Sequence, residues 1–89
     1  MYVYSQHRPY VFTEEGQTKL LAMIGAARRA FEVAGAVRQH VLISAAAGGD
    51  GWQLIALVDR LVELGYLREV TGDNCMGQHR VFVEGKPLP

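Results

Sequence analysis

Asp73, Cys75 and His79 fall within seven positions of one another, with His7 and His40 far upstream. Carboxylate, thiolate and imidazole are the ligand types of zinc, and a thiolate beside an imidazole is the pair of a cysteine nucleophile. Zinc needs three or four convergent ligands, whereas the chain offers one cysteine and no paired-histidine motif. A cysteine nucleophile needs a pocket and oxyanion donors, and a glycine-bracketed hairpin loop supplies neither. Gly48, Gly49, Asp50 and Gly51 precede a helix start, where phosphates bind, but no Lys-Ser/Thr pair follows. They read as a turn and an N-cap. The residue types define no catalytic set, metal site or cofactor, and no small-molecule substrate is evident. They describe a non-enzymatic binding module.

The elements that position these residues follow from spacing. Residues 1–9 alternate Tyr2 and Tyr4 before Pro9, which suits an extended arm or an edge strand, and Tyr10, Val11 and Phe12 make a short strand candidate. Thr13 is a good N-cap with Glu14 and Glu15 in the first turn, and the helix it opens runs to Ala34 before Gly35 stops it. Leu20, Ile24, Ala27, Phe31 and Ala34 form its buried stripe. Met23, Ala26, Ala30 and Val33 form a second stripe that could seat a partner. Residues 36–47 read as a brief extended piece at Val37 followed by a short helix.

Asp50 and Gln53 form a capping box for a helix over residues 50–64. Its core stripe is Trp52, Ile55, Val58, Leu61 and Val62, with Leu54 and Leu57 at the margins. Trp52 reads as core rather than as a stacking platform. Gly65 stops the helix, and Tyr66 folds back over Leu61. Residues 66–70 and 78–84 then form a hairpin, with Leu67, Val81 and Val83 inward by alternation. Residues 85–89 are a tail.

Eighty-nine residues suffice for one modest core, and a chain 49% hydrophobic and 20% charged is globular. No apolar stretch reaches membrane-spanning length, residues 1–10 carry no secretory pattern, and the lone Cys75 suits a reducing compartment. A cytoplasmic protein is expected. Nine basic side chains balance nine acidic ones, unlike the basic bias of most nucleic-acid binders. Residues 1–48 carry five basic and three acidic side chains, and residues 49–89 carry four and six. Arg28, Arg29 and Arg38 read as complements to a helix C-terminus before they read as a basic corner.

Leu57, Leu61 and Leu64 in the late helix, the exit Gly65, Tyr66 and Leu67, and the return Gly77, Arg80 and Phe82 resemble the winged helix-turn-helix superfamily of bacterial regulators. The resemblance covers residues 36–84. It implies an α+β fold: a three-helix bundle with a C-terminal two- to three-stranded antiparallel β-hairpin wing, over residues 13–84 as one domain, with residues 1–12 outside it. It also implies a DNA-binding transcription regulator. The exposed face of the late helix, with Gln53, Ala56, Arg60 and Glu63, would enter the major groove of double-stranded DNA, with Arg38, His79 and Arg80 in support. Asp50, Asp59 and Glu63 would meet phosphates of like charge, and the wing tip of Asp73, Asn74, Cys75 and Met76 has no Lys or Arg. The alternative is a winged helix turned to protein contact, as a homodimer or with another protein, through Tyr2, Tyr4, Met23, Ala26, Ala30 and Val33.

Overall fold

The computed structural model describes residues 1–70 and 79–89. Asp73, Asn74, Cys75 and Met76, and with them the weighed metal and nucleophile pairings and the wing tip, lie outside the described residues. Helix α1 (Tyr4–Val11) leads into helix α2 (Glu14–Ala34), strand β1 (Ala36–Arg38) and helix α3 (Gln39–Ala45). Helix α4 (Gly51–Glu63), strand β2 (Leu67–Glu69) and strand β3 (Val81–Glu84) follow. The result is an α+β fold in which helices pack on one three-stranded antiparallel sheet.

The expected arm and strand over residues 1–12 are in fact α1. The tyrosine alternation stops at Tyr4, and from there Tyr4, Arg8 and Val11 recur at helical spacing toward α4. Pro9 inside the helix has no N–H to give the Ser5 carbonyl. Ser5 is exposed, so water takes that role. The helix has no side-chain N-cap and no acidic residue in its first turn. Eight such residues do not hold a helix alone, so packing against α2 and α4 carries it, with Val11 fully buried.

Helix α2 begins and ends as its sequence signals require. Thr13 accepts from the Gly16 N–H at 3.0 Å, and Gly35 (φ 73°) closes the helix by donating to the Phe31 carbonyl. Leu20, Ile24 and Ala27 are buried, Phe31 is half-buried and Ala34 is exposed. Met23 and Ala26, expected on a partner-facing stripe, belong to the core. The wide apolar arc is filled from within, because α1, α3, α4 and β1 all pack on α2. Ala30 is half-buried, and Val33 is fully outside at 89% exposure.

Asp50 caps α4 by accepting from the Trp52 and Gln53 N–H groups. At the far end, Gly65 (φ 85°) lets its own N–H reach the Val62 carbonyl and the Tyr66 N–H reach Leu61, each at 3.0 Å. Leu54, Leu57, Val58 and Leu61 face the core, so the stripe is centred on the two residues expected at its margin. Ile55 and Val62 are half-buried, and Trp52 is 44% exposed rather than core. Trp52 lies on the opposite side, at the open end of the α1 contact.

The sheet runs β1-β3-β2, with Val37 and Glu69 both opposite Phe82. Phe82 is the buried residue of β3, and Val81 and Val83 are half-buried on the outer face. Alternation could not choose a phase, because Val81, Phe82 and Val83 are all apolar; pairing with β1 chooses it. The tail docks: Gly85 and Lys86 donate to the Tyr66 and Gly65 carbonyls, and Leu88 packs on the core. No helix among the described residues is long and apolar enough to cross a membrane.

The α1–α2 corner depends on Gly16, where a Cβ would collide with the Tyr10 carbonyl oxygen. Gly25, in mid-helix, has ordinary contact distance to its nearest neighbour, the Arg29 guanidinium at 3.5 Å. Urea unfolding should therefore separate two chemically identical substitutions. Gly16→Ala should lose about 1–3 kcal/mol by overpacking, while Gly25→Ala should gain about 0.5–1 kcal/mol from helix propensity.

Candidate functional site

Two carboxylates one turn apart, Asp59 and Glu63, project from the side of α4 opposite its core leucines. Ala56, a turn earlier, is fully buried there. Its small side chain lets α1 lie close, so the face that sequence spacing offers to a DNA groove is covered by another helix.

The hydrogen bonds across that face run from α1, and from Tyr2 just ahead of it, to acceptors on α4. The Tyr2 hydroxyl donates to Asp59 Oδ2 at 2.7 Å, and the Tyr4 hydroxyl donates to Glu63 Oε1 at 2.8 Å. Arg8 Nε reaches both Glu63 oxygens at 3.2 Å. Arg60 adds a 2.7 Å ion pair to Glu63 from within α4. The guanidiniums of Arg8 and Arg60 each lie over the Phe12 ring, 5.0 Å from its centre. His7 stacks on Tyr2 and meets Trp52 edge-on at 5.3 Å.

The other oxygen of Asp59 accepts from Arg80 Nη1 at 2.9 Å. The same nitrogen donates to Oε1 of the buried Gln39, while Nε and Nη2 engage Glu69. Arg80 also lies over the Phe82 ring. Two polar clusters thus meet on α4: one ties Tyr2 through Asp59 and Arg80 to the sheet and the start of α3, and the other ties Tyr4, Arg8 and Arg60 to Glu63. Among the described residues no buried side-chain nitrogen or oxygen lacks a partner.

This arrangement sets the charge states. Hydrogen bonds from Arg60 and Tyr4, followed by Arg8, hold the Glu63 carboxyl down at about 2. Burial and then the bond to Glu63 push the Tyr4 phenol up to about 12. Burial and then the bond to Asp59 raise the Tyr2 phenol as well. Burial opposes the charge of Arg80, but Glu69 and Asp59 outweigh it and hold the guanidinium above its ordinary value.

Of the expected DNA-contacting residues, Arg60 pairs with Glu63 and Arg80 with Asp59, with their side chains 20% and 17% exposed. Gln53 is half-buried. Arg38 is exposed, opposite Val81, and so lies close along the sheet to the exposed His79. Tyr2 and Tyr4, expected on a free arm, are half-buried donors to α4. The partnership of α1 with Asp59 and Glu63 is what spacing along the chain missed. Two carboxylates at i, i+4 on a mostly apolar helix, together with Tyr4, Arg8 and Val11 at helical spacing, carried the signal.

No group of three or more His, Cys, Asp and Glu side chains among the described residues could hold a metal ion. Comparisons with protein-family models, curated proteins and solved structures found no match to this chain.

A depressed carboxyl favours the folded state above its ordinary value near 4.5, and that contribution fades as pH falls toward about 2. Acid titration should therefore loosen α1 over this window, seen as a change in Trp52 fluorescence, and Glu63→Gln should abolish this transition. Arg80→Met removes the donor to the Gln39 oxygen and to Asp59 Oδ1 and breaks the ion pair with Glu69. It should cost about 1–3 kcal/mol in urea unfolding.

Proposed function

We propose that the chain is a winged helix used for protein contact rather than for reading DNA. The element order from α2 to β3 and the strand order β1-β3-β2 support the fold. In this reading α4 is the recognition helix, β2 and β3 form the wing, and α1 is an addition. The observation that carries the functional reading is α1 itself, bonded to Asp59 and Glu63 across the face of α4 that would enter the groove.

Magnitudes favour the same side. A major groove about 12 Å wide admits one helix about 10–12 Å across, not two packed together. Phosphate neutralisation supplies essentially all non-specific affinity for DNA. Arg60 and Arg80, the cations nearest the groove-facing surface, are already paired with carboxylates. Removing α1 would leave Asp59 and Glu63 facing the phosphates. A transcription regulator that reads DNA through α4 would need both the helix moved and the charge reversed.

Fluorescence anisotropy of a labelled random duplex tests this reading. The expected result is no salt-sensitive binding by the wild-type chain, from low salt to physiological salt. Binding that weakens steeply with salt, and that Arg60→Ala or Arg80→Ala reduces in a folded protein, would return the DNA-reading function and reject the protein-contact one.

A further inference from the structure

We propose that the outer face of the sheet docks an acidic amphipathic helix of another protein. That helix carries two carboxylates two turns apart, with apolar side chains in the turn between them. The inference rests on the protein-contact reading above and names its surface and partner chemistry.

Val37, Leu67 and Phe82 belong to the core and define the buried face of the sheet. Their neighbours along each strand face the other way. Arg38 and Val70 flank Val81 in one row across the strands, and Ala36 and Arg68 flank Val83 in the next. The two arginines thus stand at opposite corners of a patch whose remaining members are apolar. Both arginines and Val70 are exposed, and the other three residues are half-buried. Water-facing positions of an antiparallel sheet are usually polar. An apolar patch rimmed by charge is the mark of a contact surface.

Charge names the occupant. Neither Arg38 nor Arg68 has a hydrogen bond or ion pair among the described residues, whereas Arg8, Arg60 and Arg80 are all paired with carboxylates. The acidic residues of the strands do not share this face: Glu69 stands opposite Phe82 and bonds Arg80, and Glu84 stands opposite Leu67. Two strand spacings across and two residues along separate the Cα atoms of Arg38 and Arg68 by about 12 Å. Carboxylates two turns apart on a helix stand about 11 Å from each other, so one helix can meet both arginines. The turn between them then falls on Val81 and Val83. A helix satisfies its own backbone groups, whereas an extended peptide laid flat on the sheet would bury its own without partners. Nucleic acid fits less well, because bases stack on aromatic rings and these positions hold none.

The experiment uses a fluorescein-labelled, alanine-based helical peptide with two glutamates two turns apart and leucines in the turn between. Its anisotropy should rise to saturation with added full-length protein, and the affinity should fall as salt rises. The same peptide with lysines in place of the glutamates should bind at least tenfold more weakly. The full-length variant Arg38→Glu/Arg68→Glu should reverse that preference, and since both side chains are exposed and unpaired it should keep its fold. No saturable binding, equal binding of the two peptides, or an unchanged preference in the folded variant overturns the proposal.

Methyl resonances of the wild type keep the proposal testable if the double variant does not fold. The glutamate peptide should shift those of Val70, Val81 and Val83 and leave that of the buried Val58 in place. Shifts confined to other residues would remove the site. Wild-type self-association that Arg38→Glu/Arg68→Glu abolishes would assign the face to a second copy of this chain and overturn the foreign partner. Duplex binding lost on Arg38→Ala/Arg68→Ala would assign it to nucleic acid and sink both readings. Duplex binding that depends on Arg60 and Arg80 would sink the protein-contact reading without touching the peptide result, whereas peptide failure without duplex binding would sink this inference alone.

Discussion

The structure turns on the need to satisfy two carboxylates on one side of a helix whose other side is the core. Burying leucines on α4 commits its outward face to Asp59 and Glu63. Once α1 lies against that face, Asp59 gives up much of its water while Glu63 stays 37% exposed, and both take donors from their neighbours. Tyr2, Tyr4 and Arg8 supply them from one direction, and Arg60 and Arg80 from the other. The two sets differ in kind. The phenols of Tyr2 and Tyr4 give up hydration for a hydrogen bond, while Arg80 is held by Asp59 and Glu69 with its guanidinium over Phe82. The donors on the sheet side lie between packed elements; those on α1 are held by the buried Val11 and by packing on α2 and α4.

That asymmetry explains why a short helix with an internal proline forms at all. Local propensity works against α1, and its pattern of tyrosines suits a strand equally well. Tertiary contacts decide. The same hierarchy governs the other elements: where capping and stop signals agree with packing, as at Thr13, Gly35, Asp50 and Gly65, boundaries fall where the residues say. Where a local pattern has two solutions, a remote partner selects one. β1 selects the phase of β3, and α4 selects helix over strand for residues 4–11.

Much of the architecture was therefore legible in the sequence. The long helix, the extended-then-helical turn at Val37, the capped α4 and the paired strands all follow from short-range chemistry. The candidate site was legible in its parts and not in its assembly. Arg60 and Arg80 were identifiable as the important cations of the C-terminal half, but their partners lie on three different elements, and charge counting along the chain cannot show that they are neutralised in place. Met23 and Ala26 misled for a related reason: a broad apolar arc on α2 looks like spare surface until α1 is counted among the elements that fill it.

The docked tail gives the turn that follows α4 an attachment of its own. Residues near the N-terminus meet α4 through side chains, at Asp59 and Glu63, whereas Gly85 and Lys86 meet the turn after that helix through backbone hydrogen bonds at Tyr66 and Gly65. The two ends are therefore held by different chemistry: acid and salt weaken the charged contacts at Glu63, whereas the backbone bonds of Gly85 and Lys86 answer to neither.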